Sequence, residues 1–388
     1  MILFGRYPDD VRVRKEAEAL VEYGWKVHLI CLKYDGQSKQ EFFNGVQIHR
    51  INLQQKRGSK FVYLKAFFFF TIAAFFKTIY LYNRFHYKII HVHNVPDTLV
   101  LCALIPRLLG AKIILDMHEI MPEFFMRKYQ VPETNCAITI LKLAEKLSIK
   151  LAHHVFVATP FLKTTVVKRS TVAEKVTVLL NLPELKYFVS RNPKNAANDL
   201  QPIRFKLIYA GTFSHIHGVD LAIFAVRKLI ARGFNNLELH LYGGGDEEHS
   251  LKKMVSEFHL DDHVFFHQSV PMEELGKILT KMHLGIVPKR DGVFIGEAIS
   301  TKLFDYAAAG LAAVCSRTAG DSLYFDDSMA QFFEPENIDD MADKIYELYH
   351  DFDKRQTITN NALAFIKQFN WEQVKNKLLK IYFDLDAR

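Results

Sequence analysis

The sequence is poor in cysteine. Its four cysteines (Cys31, Cys102, Cys136, Cys315) form no Cys-x-x-Cys pair among 388 residues. That excludes a disulfide scaffold and a zinc ribbon, and it suits a reducing compartment. No uninterrupted apolar run reaches the ~20 residues of a membrane span. The charge-free part of the most apolar segment, residues 66–76, has 11. No self-similarity appears at repeat periods, which excludes solenoids and propellers. The chain opens MILFGRYPDD, with charge where the apolar core of a leader would stand, so no signal peptide is expected. With 49% apolar and 24% charged residues, the chain is neither disordered nor a coiled coil. Its length gives room for two α/β domains, each with its own core.

The net charge of +7 is unevenly spread. Residues 1–190 hold 27 Lys+Arg against 15 Asp+Glu, and the rest hold 23 against 28. A basic half joined to a mildly acidic half implies two domains with different partners. The basic half should meet an anionic surface or a phosphate group. Nucleic acid would also fit the charge, but the sequence shows no nucleic-acid-binding module.

Short β-branched runs alternate with helical stretches. In the first half, strands are expected at 1–4, 26–31, 46–51, 88–93, 112–116, 153–158 and 175–180. Helices are expected at 12–23, 98–109 and 138–152. Runs such as KIIHVH, KIILD and HVFVA are nearly continuous apolar stretches, as parallel strands covered on both faces require. Residues 190–202, SRNPKNAANDLQP, are polar and aperiodic and read as a linker. The alternation then restarts, with strands at 205–210, 237–242, 264–267, 284–288 and 312–316, and an amphipathic helix from Trp371 closes the chain. The expectation is therefore α/β: two doubly wound Rossmann-like domains, 1–189 and 203–370, facing across a cleft, with 371–388 crossing back to the first.

The segment 61–82, FVYLKAFFFFTIAAFFKTIYLY, is the most unusual stretch. Four consecutive phenylalanines, Phe67 to Phe70, point most of the way round a helix at ~100° per residue. One face can pack on a sheet. Either the others find a second apolar neighbour, or the helix dips into a bilayer with Lys56, Arg57, Lys60, Lys65, Lys77, Arg84 and Lys88 at the headgroups. The basic balance of this half favours the bilayer.

Several stretches can carry chemistry. In EAISTKLFDYAAAG (297–310), Glu297 and Asp305 stand eight apart, one in a loop and one on the following helix. Acceptor-only groups placed so can take hydrogen bonds from sugar hydroxyls. On spacing alone, a solvated helix start is the better explanation of them. DMHE (116–119) puts His118 at the tip of a buried strand, and HVHNVPDT (91–98) lies at another strand tip. YAGTFSHIHGVD (209–220) runs from strand through a turn to helix, where the N–H groups at Gly211 and the helix start could hold a phosphate. LYGGGD (241–246), with Gly244 at its centre, lets backbone approach a ligand closely.

Taken in order, these stretches resemble the retaining GT-B glycosyltransferases of family 4 over nearly the whole chain. The resemblance rests on the D-x-R-V-R-x-E-A pattern at 10–17, HNVPDT, DMHE, NLPEL (181–185), GTFSHIHGVDLAI, LYGGGDEE and VFFHQSVPMEEL. EAISTKLFDYAAAG matches the E-x7-E motif, and FNWEQVKNKLLKIY the closing helix. It implies sugar transfer from a nucleotide-sugar held by the second domain. Glu297 would then hold the donor sugar and Asp305 the ribose hydroxyls. The turn through Val270 would contact the base, His118 would lie beside the donor sugar, and Gly5 would lie against the diphosphate. The family needs no metal or other cofactor. The usual Arg and Lys of its G-R-x-x-x-x-K-G turn are here Thr212 and His217. Another cation must therefore meet the diphosphate: Lys302 first, with Lys289, Arg290, His215 and His217 as the other candidates. The second carboxylate is Asp rather than Glu.

The expected function is a retaining glycosyltransferase acting on a lipid-linked saccharide or lipid acceptor in polysaccharide or glycolipid assembly. It would act on the cytoplasmic side, peripheral to the plasma membrane and against anionic lipid. The alternatives are a catalytically impaired nucleotide-sugar binder or partner subunit, motivated by Thr212 and His217, and a sugar-nucleotide epimerase.

Overall fold

A computed structural model of the chain describes residues 1–53, 60–188, 203–292 and 296–387, with backbone only for 60–64. The expected linker and the headgroup candidates Lys56 and Arg57 lie outside the described residues. The chain divides into two compact units, one of Met1–Asn181 with Val374–Arg388, the other of Leu182–Gln373.

In the first unit eight strands form one sheet: β1 (Ile2–Leu3), β2 (Val27–Leu32), β3 (Gln40–Phe43), β4 (Val46–Ile51), β5 (Ile89–His93), β6 (Lys112–Met117), β7 (His154–Val157) and β8 (Val176–Val178). Their order is β3-β4-β2-β1-β5-β6-β7-β8. All neighbours are parallel except β3 and β4. β3, absent from the expected strands, is an exposed edge strand joined to β4 through Asn44 and Gly45, both at positive φ (45° and 82°). The strand order reverses between β1 and β5, and the carboxyl ends at that reversal are where an open α/β sheet binds ligands. Asp10 caps the first helix, Val11–Glu22, by accepting from the N–H groups of Arg12 and Val13. The helix expected at 98–109 is instead a 3-10 turn (Asp97–Ala103) followed by a short α-helix (Leu104–Leu108). Pro106 supplies no N–H for the bond that a continuous helix would make there.

The aromatic segment is one helix, Lys60–Phe85, of 26 residues. Phe70, Ala74, Thr78, Leu81 and Tyr82 are buried. Phe70 packs on Phe4 with ring centroids 5.1 Å apart. The opposite side leaves Phe68 61% and Phe76 66% exposed, with Phe69, Ile72 and Tyr80 also exposed. Residues 65–85 are long and apolar enough to cross a membrane by length and composition, which the 11-residue charge-free count underestimates. The lysines interrupt the apolar run without ending the helix.

The second unit holds β9 (Phe205–Thr212), β10 (Leu237–Gly244), β11 (Val264–His267), β12 (Leu284–Val287), β13 (Ala313–Ser316) and β14 (Gln331–Phe333). They form an all-parallel sheet in the order β11-β10-β9-β12-β13-β14. This is the doubly wound order 3-2-1-4-5-6, with its reversal between β9 and β12. The sequence reading misses β14, which is only three residues long. Gly218, at φ 63°, lies so close to the Pro288 carbonyl after β12 that a Cβ would collide with it. That contact draws the turn after β9 against the end of β12, at the reversal point.

Candidate active site

In the second unit the chemistry gathers at the carboxyl ends of β9, β10 and β12. The helix Thr301–Ala308 begins there and carries Lys302 and Asp305. Lys302 is half-buried. Its ammonium lies 5.0 Å from the centre of the Tyr209 ring and, among the described residues, has no ion-pair partner. It fits because residue 211 is glycine: a Cβ there would run into the lysine's terminal atoms. Burial pushes the Lys302 ammonium down to about 8 from its ordinary 10.5, although Asp305 and Asp321 pull the other way. Tyr209 is fixed by donating to the Thr212 carbonyl at 2.7 Å. Together these features place at a strand end a cation with no ion-pair partner among the described residues.

Glu297 stands on a loop that is pinned from below. Asp321 is buried. It accepts from the Ser300 N–H (2.7 Å), the Ser300 hydroxyl (2.9 Å) and the Thr318 hydroxyl (3.0 Å), and it pairs with Lys289 at 2.8 Å. Lys289 also donates to the Ala298 carbonyl at 2.5 Å. Gly320 packs so closely on the carbonyls of Glu297 and Ala298 that no Cβ fits. Glu297 itself is half-buried, and its carboxylate has no partner among the described residues. A rigid loop thus presents an acceptor-only group, which suits hydroxyl recognition.

The glycine turn after β10 is equally tight. A side chain at Gly243 or Gly245 would strike the carbonyl of Gly211 or Phe213, and the Phe213 N–H donates to the Gly244 carbonyl at 2.9 Å. Gly211, Gly244 and the exposed Thr212 therefore lie side by side in the β9–β10 register, Gly244 opposite Thr212. Val270 is half-buried in the turn after β11.

Three expected cations are occupied, Lys289 by Asp321 as described and two more at the turn after β9. Arg290 forms a two-pronged pair with Asp220 (2.9 and 2.6 Å), donates to the His215 carbonyl at 2.7 Å, and lies 3.5 Å from Glu336. Its guanidinium staples the turn after β9 to the segment after β12, so this candidate for the diphosphate contact already has carboxylate partners. His217 is held by the Ser214 hydroxyl at 2.8 Å. Lys302 remains available.

In the first unit, His118 follows β6. Its Nε2 lies 2.7 Å from Asp116, and its N–H donates to the Asn94 side chain at 2.8 Å. Asp116 also lies 3.1 Å from His93 Nδ1. Burial opposes the Asp116 charge, but His118 and His93 outweigh it and hold the carboxyl well below its usual range. Gly5 lies at the end of β1, where its carbonyl accepts from the Leu32 N–H at 3.1 Å. His118 and Gly5 both sit on the carboxyl side of their strands. Asp321 and Tyr209 escaped the sequence reading. Asp321 is 24 residues from Glu297, with no local motif, and Tyr209 reads as an ordinary strand aromatic.

Comparison with known proteins accords with this geometry. A family model described as "Glycosyl transferase 4-like domain" matches residues 10–181, and one described as "Glycosyl transferases group 1" matches 191–365. An uncharacterised glycosyltransferase of Methanocaldococcus jannaschii is 23% identical over 179 residues, which cover 46% of this chain and 48% of that protein. The chain thus spans about half the length of the curated relative it matches. Among solved structures, sucrose-phosphate synthase of Thermosynechococcus elongatus superposes with TM-score 0.76 at 19% identity, covering 97% of this chain and 93% of the other. HepE of Anabaena, solved with UDP and glucose, gives 0.70 at 14% identity, covering 98% of each. With one family domain on each sheet and this fold, the chain belongs to the GT-B glycosyltransferases.

Proposed function

We propose that the protein transfers a hexosyl unit, with retention, from a nucleotide-sugar to a lipid or lipid-linked saccharide in cell-surface polysaccharide or glycolipid assembly. The observation that carries this is the unpaired Lys302 ammonium beside the pinned Glu297 loop, at the strand reversal of the second unit. Glu297 accepts from donor-sugar hydroxyls and Asp305 from the ribose. Lys302 and the N-terminus of the helix Thr301–Ala308 meet the diphosphate. As the anomeric C–O bond to phosphate breaks, negative charge collects on the leaving oxygen, where Lys302 stabilises it. The acceptor oxygen bonds to the anomeric carbon on the same face, and its proton passes to the departing phosphate. In the first unit, Asp116 holds His118 at the carboxyl end of β6. Fixed cations and N–H groups supply the counter-charge, so the transfer step calls on no metal. The HepE structure with UDP and glucose supports a nucleotide-sugar as the donor class.

The lipid acceptor is supported by the first unit. Helix Lys60–Phe85 buries one side on the sheet, so it is suited to lying along a membrane, not across it. The helix Cys136–Leu151, which like Lys60–Phe85 packs on the Asp97–Ala103 turn, exposes Ile140, Leu143 and Leu147. Exposed Lys65, Arg84, Lys146 and Lys150 accompany these apolar groups. Such a surface fits anionic lipid, and the protein acts peripherally on the cytoplasmic leaflet.

The decisive experiment is a thermal-shift screen against UDP-, GDP-, dTDP- and ADP-sugars, followed by turnover of the stabilising donor by wild type and Glu297→Gln. Donor binding with turnover lost in Glu297→Gln is expected. Donor stabilisation without turnover in the wild type would favour a nucleotide-sugar binder. No stabilisation by any donor would overturn the proposal.

A further inference from the structure

The first unit contains a buried group of metal-ligand side chains, of which only Asp116, the partner of His118, has a place in the site already described. His91 and His93 lie two apart on β5, so both project from the same face of the sheet. Asp116, on the adjacent parallel strand β6, pairs in register with His93. Glu16 reaches the same point from the first helix. All four residues are buried, with relative exposures of 1% (His91), 0% (His93), 3% (Asp116) and 4% (Glu16).

Their ligand atoms converge. His91 Nε2 lies 3.8 Å from a Glu16 oxygen and 4.0 Å from Asp116. His93 Nδ1 lies 4.0 Å from the same Glu16 oxygen and 3.1 Å from Asp116. One ligand atom from each of the four falls within 4.8 Å of all the others. Tetrahedral zinc with bonds of ~2.0–2.1 Å sets its ligand atoms ~3.3 Å apart, so a modest contraction of this group would close it on an ion.

A second observation points the same way. Glu16 Oε2 and His91 Nε2, two of the converging atoms, are buried polar atoms with no hydrogen-bond partner among the described residues. Buried polar atoms are rarely left so. The outer contacts suit ligation as well. His91 Nδ1 lies 2.9 Å from Tyr382 Oη. If that nitrogen donates to the phenol, the Nε2 lone pair faces Glu16 and Asp116, the arrangement usual for metal-bound histidine. His91 also lines a cavity of about 760 Å³ together with Tyr23, Trp25 and Phe383.

We propose that Glu16, His91, His93 and Asp116 form a buried site for a divalent transition metal, with zinc best matched to two imidazoles and two carboxylates. The ion ties the first helix to β5 and β6, and through His91 it reaches Tyr382 on the C-terminal helix. It lies behind Asp116, the residue that orients His118, and takes no part in bond breaking.

The test uses the full-length protein purified without chelators or a histidine tag. Elemental analysis and native mass spectrometry are expected to find one zinc per chain. After chelation, adding zinc should raise the melting temperature of the first unit by roughly 5–10 °C, and magnesium should not. Cobalt(II) should give the visible bands of a tetrahedral site. His93→Gln and Glu16→Gln should lose the ion, whereas His240→Ala, which alters the His240–His267 pair of the second unit, should keep it. If the glutamine variants fail to fold, the wild-type chelation and cobalt measurements still decide. A wild type that carries no stoichiometric metal and shows no zinc-dependent stabilisation overturns the proposal, as does loss of the ion in His240→Ala. None of these readouts depends on which sugar, if any, the enzyme transfers.

Discussion

Lys302→Met separates what the site costs from what it does. The lysine's ammonium is held near 8 instead of 10.5, which corresponds to about 3 kcal/mol of disfavoured charge at pH 7 as an upper bound. Methionine fills nearly the same volume without that charge, and Asp321 keeps Lys289 as its partner. The variant should therefore be more stable than wild type at pH 7, by about 1–3 kcal/mol in chemical denaturation.

The pH dependence has a definite sign. Between the folded value near 8 and the unfolded value of 10.5, the unfolded wild type binds more protons. Wild-type stability gains from this group as pH rises through that window. The advantage of Lys302→Met must shrink over the same range and vanish above it. Function moves the opposite way. Losing a charge-assisted contact to the diphosphate costs about 1.5–3 kcal/mol, so donor affinity measured calorimetrically should fall roughly 10–100-fold. Wild-type affinity should weaken above pH ~8 as the ammonium deprotonates, and the variant's should not. Gly211→Ala pushes against the same lysine and should also weaken donor binding. A Lys302→Met protein that is less stable than its parent at pH 7, or that binds donor unchanged, refutes the reasoning.

Two further outcomes follow from buried carboxylates. Asp321→Asn leaves Lys289 without its charge partner and loosens the Ser300 anchor. Unfolding free energy should drop by about 3 kcal/mol and turnover should fall with it; an unchanged denaturation midpoint would show that the latch does not hold the Glu297 loop. Burial pushes the Asp97 carboxyl up to about 7 from 3.8, against the pull of its hydrogen bond from Asn94. The folded state then binds the extra proton between those values, and stability declines as pH rises through them. Asp97→Asn should be more stable than wild type at pH 8 by up to about 4 kcal/mol and nearly equal at pH 4, measured by urea denaturation. Equal stability at both pH values would refute this account.

What the sequence disclosed depended on how local the cause was. β6, KIILDM, is apolar because both its faces are covered, and that is written into its own residues. β3, QEFF, is an exposed edge strand with no alternation, and only the Asn44–Gly45 turn beside it signals a hairpin. The Glu297–Asp305 pair was legible because one loop and the next helix carry both. The Asp321 latch was not, because it forms across two loops. Arg290 was read as a free cation because its partner Asp220 is 70 residues away. His91 and His93 were visible as a strand-tip motif, but their convergence with Glu16 needed the first helix docked on the sheet.

The two halves of the chain use charge at different ranges. The acidic half, with 28 Asp+Glu against 23 Lys+Arg, offers no long-range attraction to an anionic donor, so the half-buried Lys302 must work at contact distance. Partly buried contacts are little affected by salt. The basic half instead carries exposed lysines beside exposed aromatic side chains, and such attraction to lipid decays within ~8 Å at physiological ionic strength. Raising salt should therefore strip the protein from anionic vesicles while leaving its donor affinity nearly unchanged. Replacing Phe68, Phe69 and Phe76 by serine should weaken vesicle binding at every salt concentration. Phe68 and Phe76 are mostly in water and Phe69 about half, so the folded state should lose little stability. If donor affinity and vesicle binding fell together with salt, the donor would be held by a diffuse field and not by Lys302. If the serine variant bound vesicles as the parent does, the aromatic face would have no part in docking.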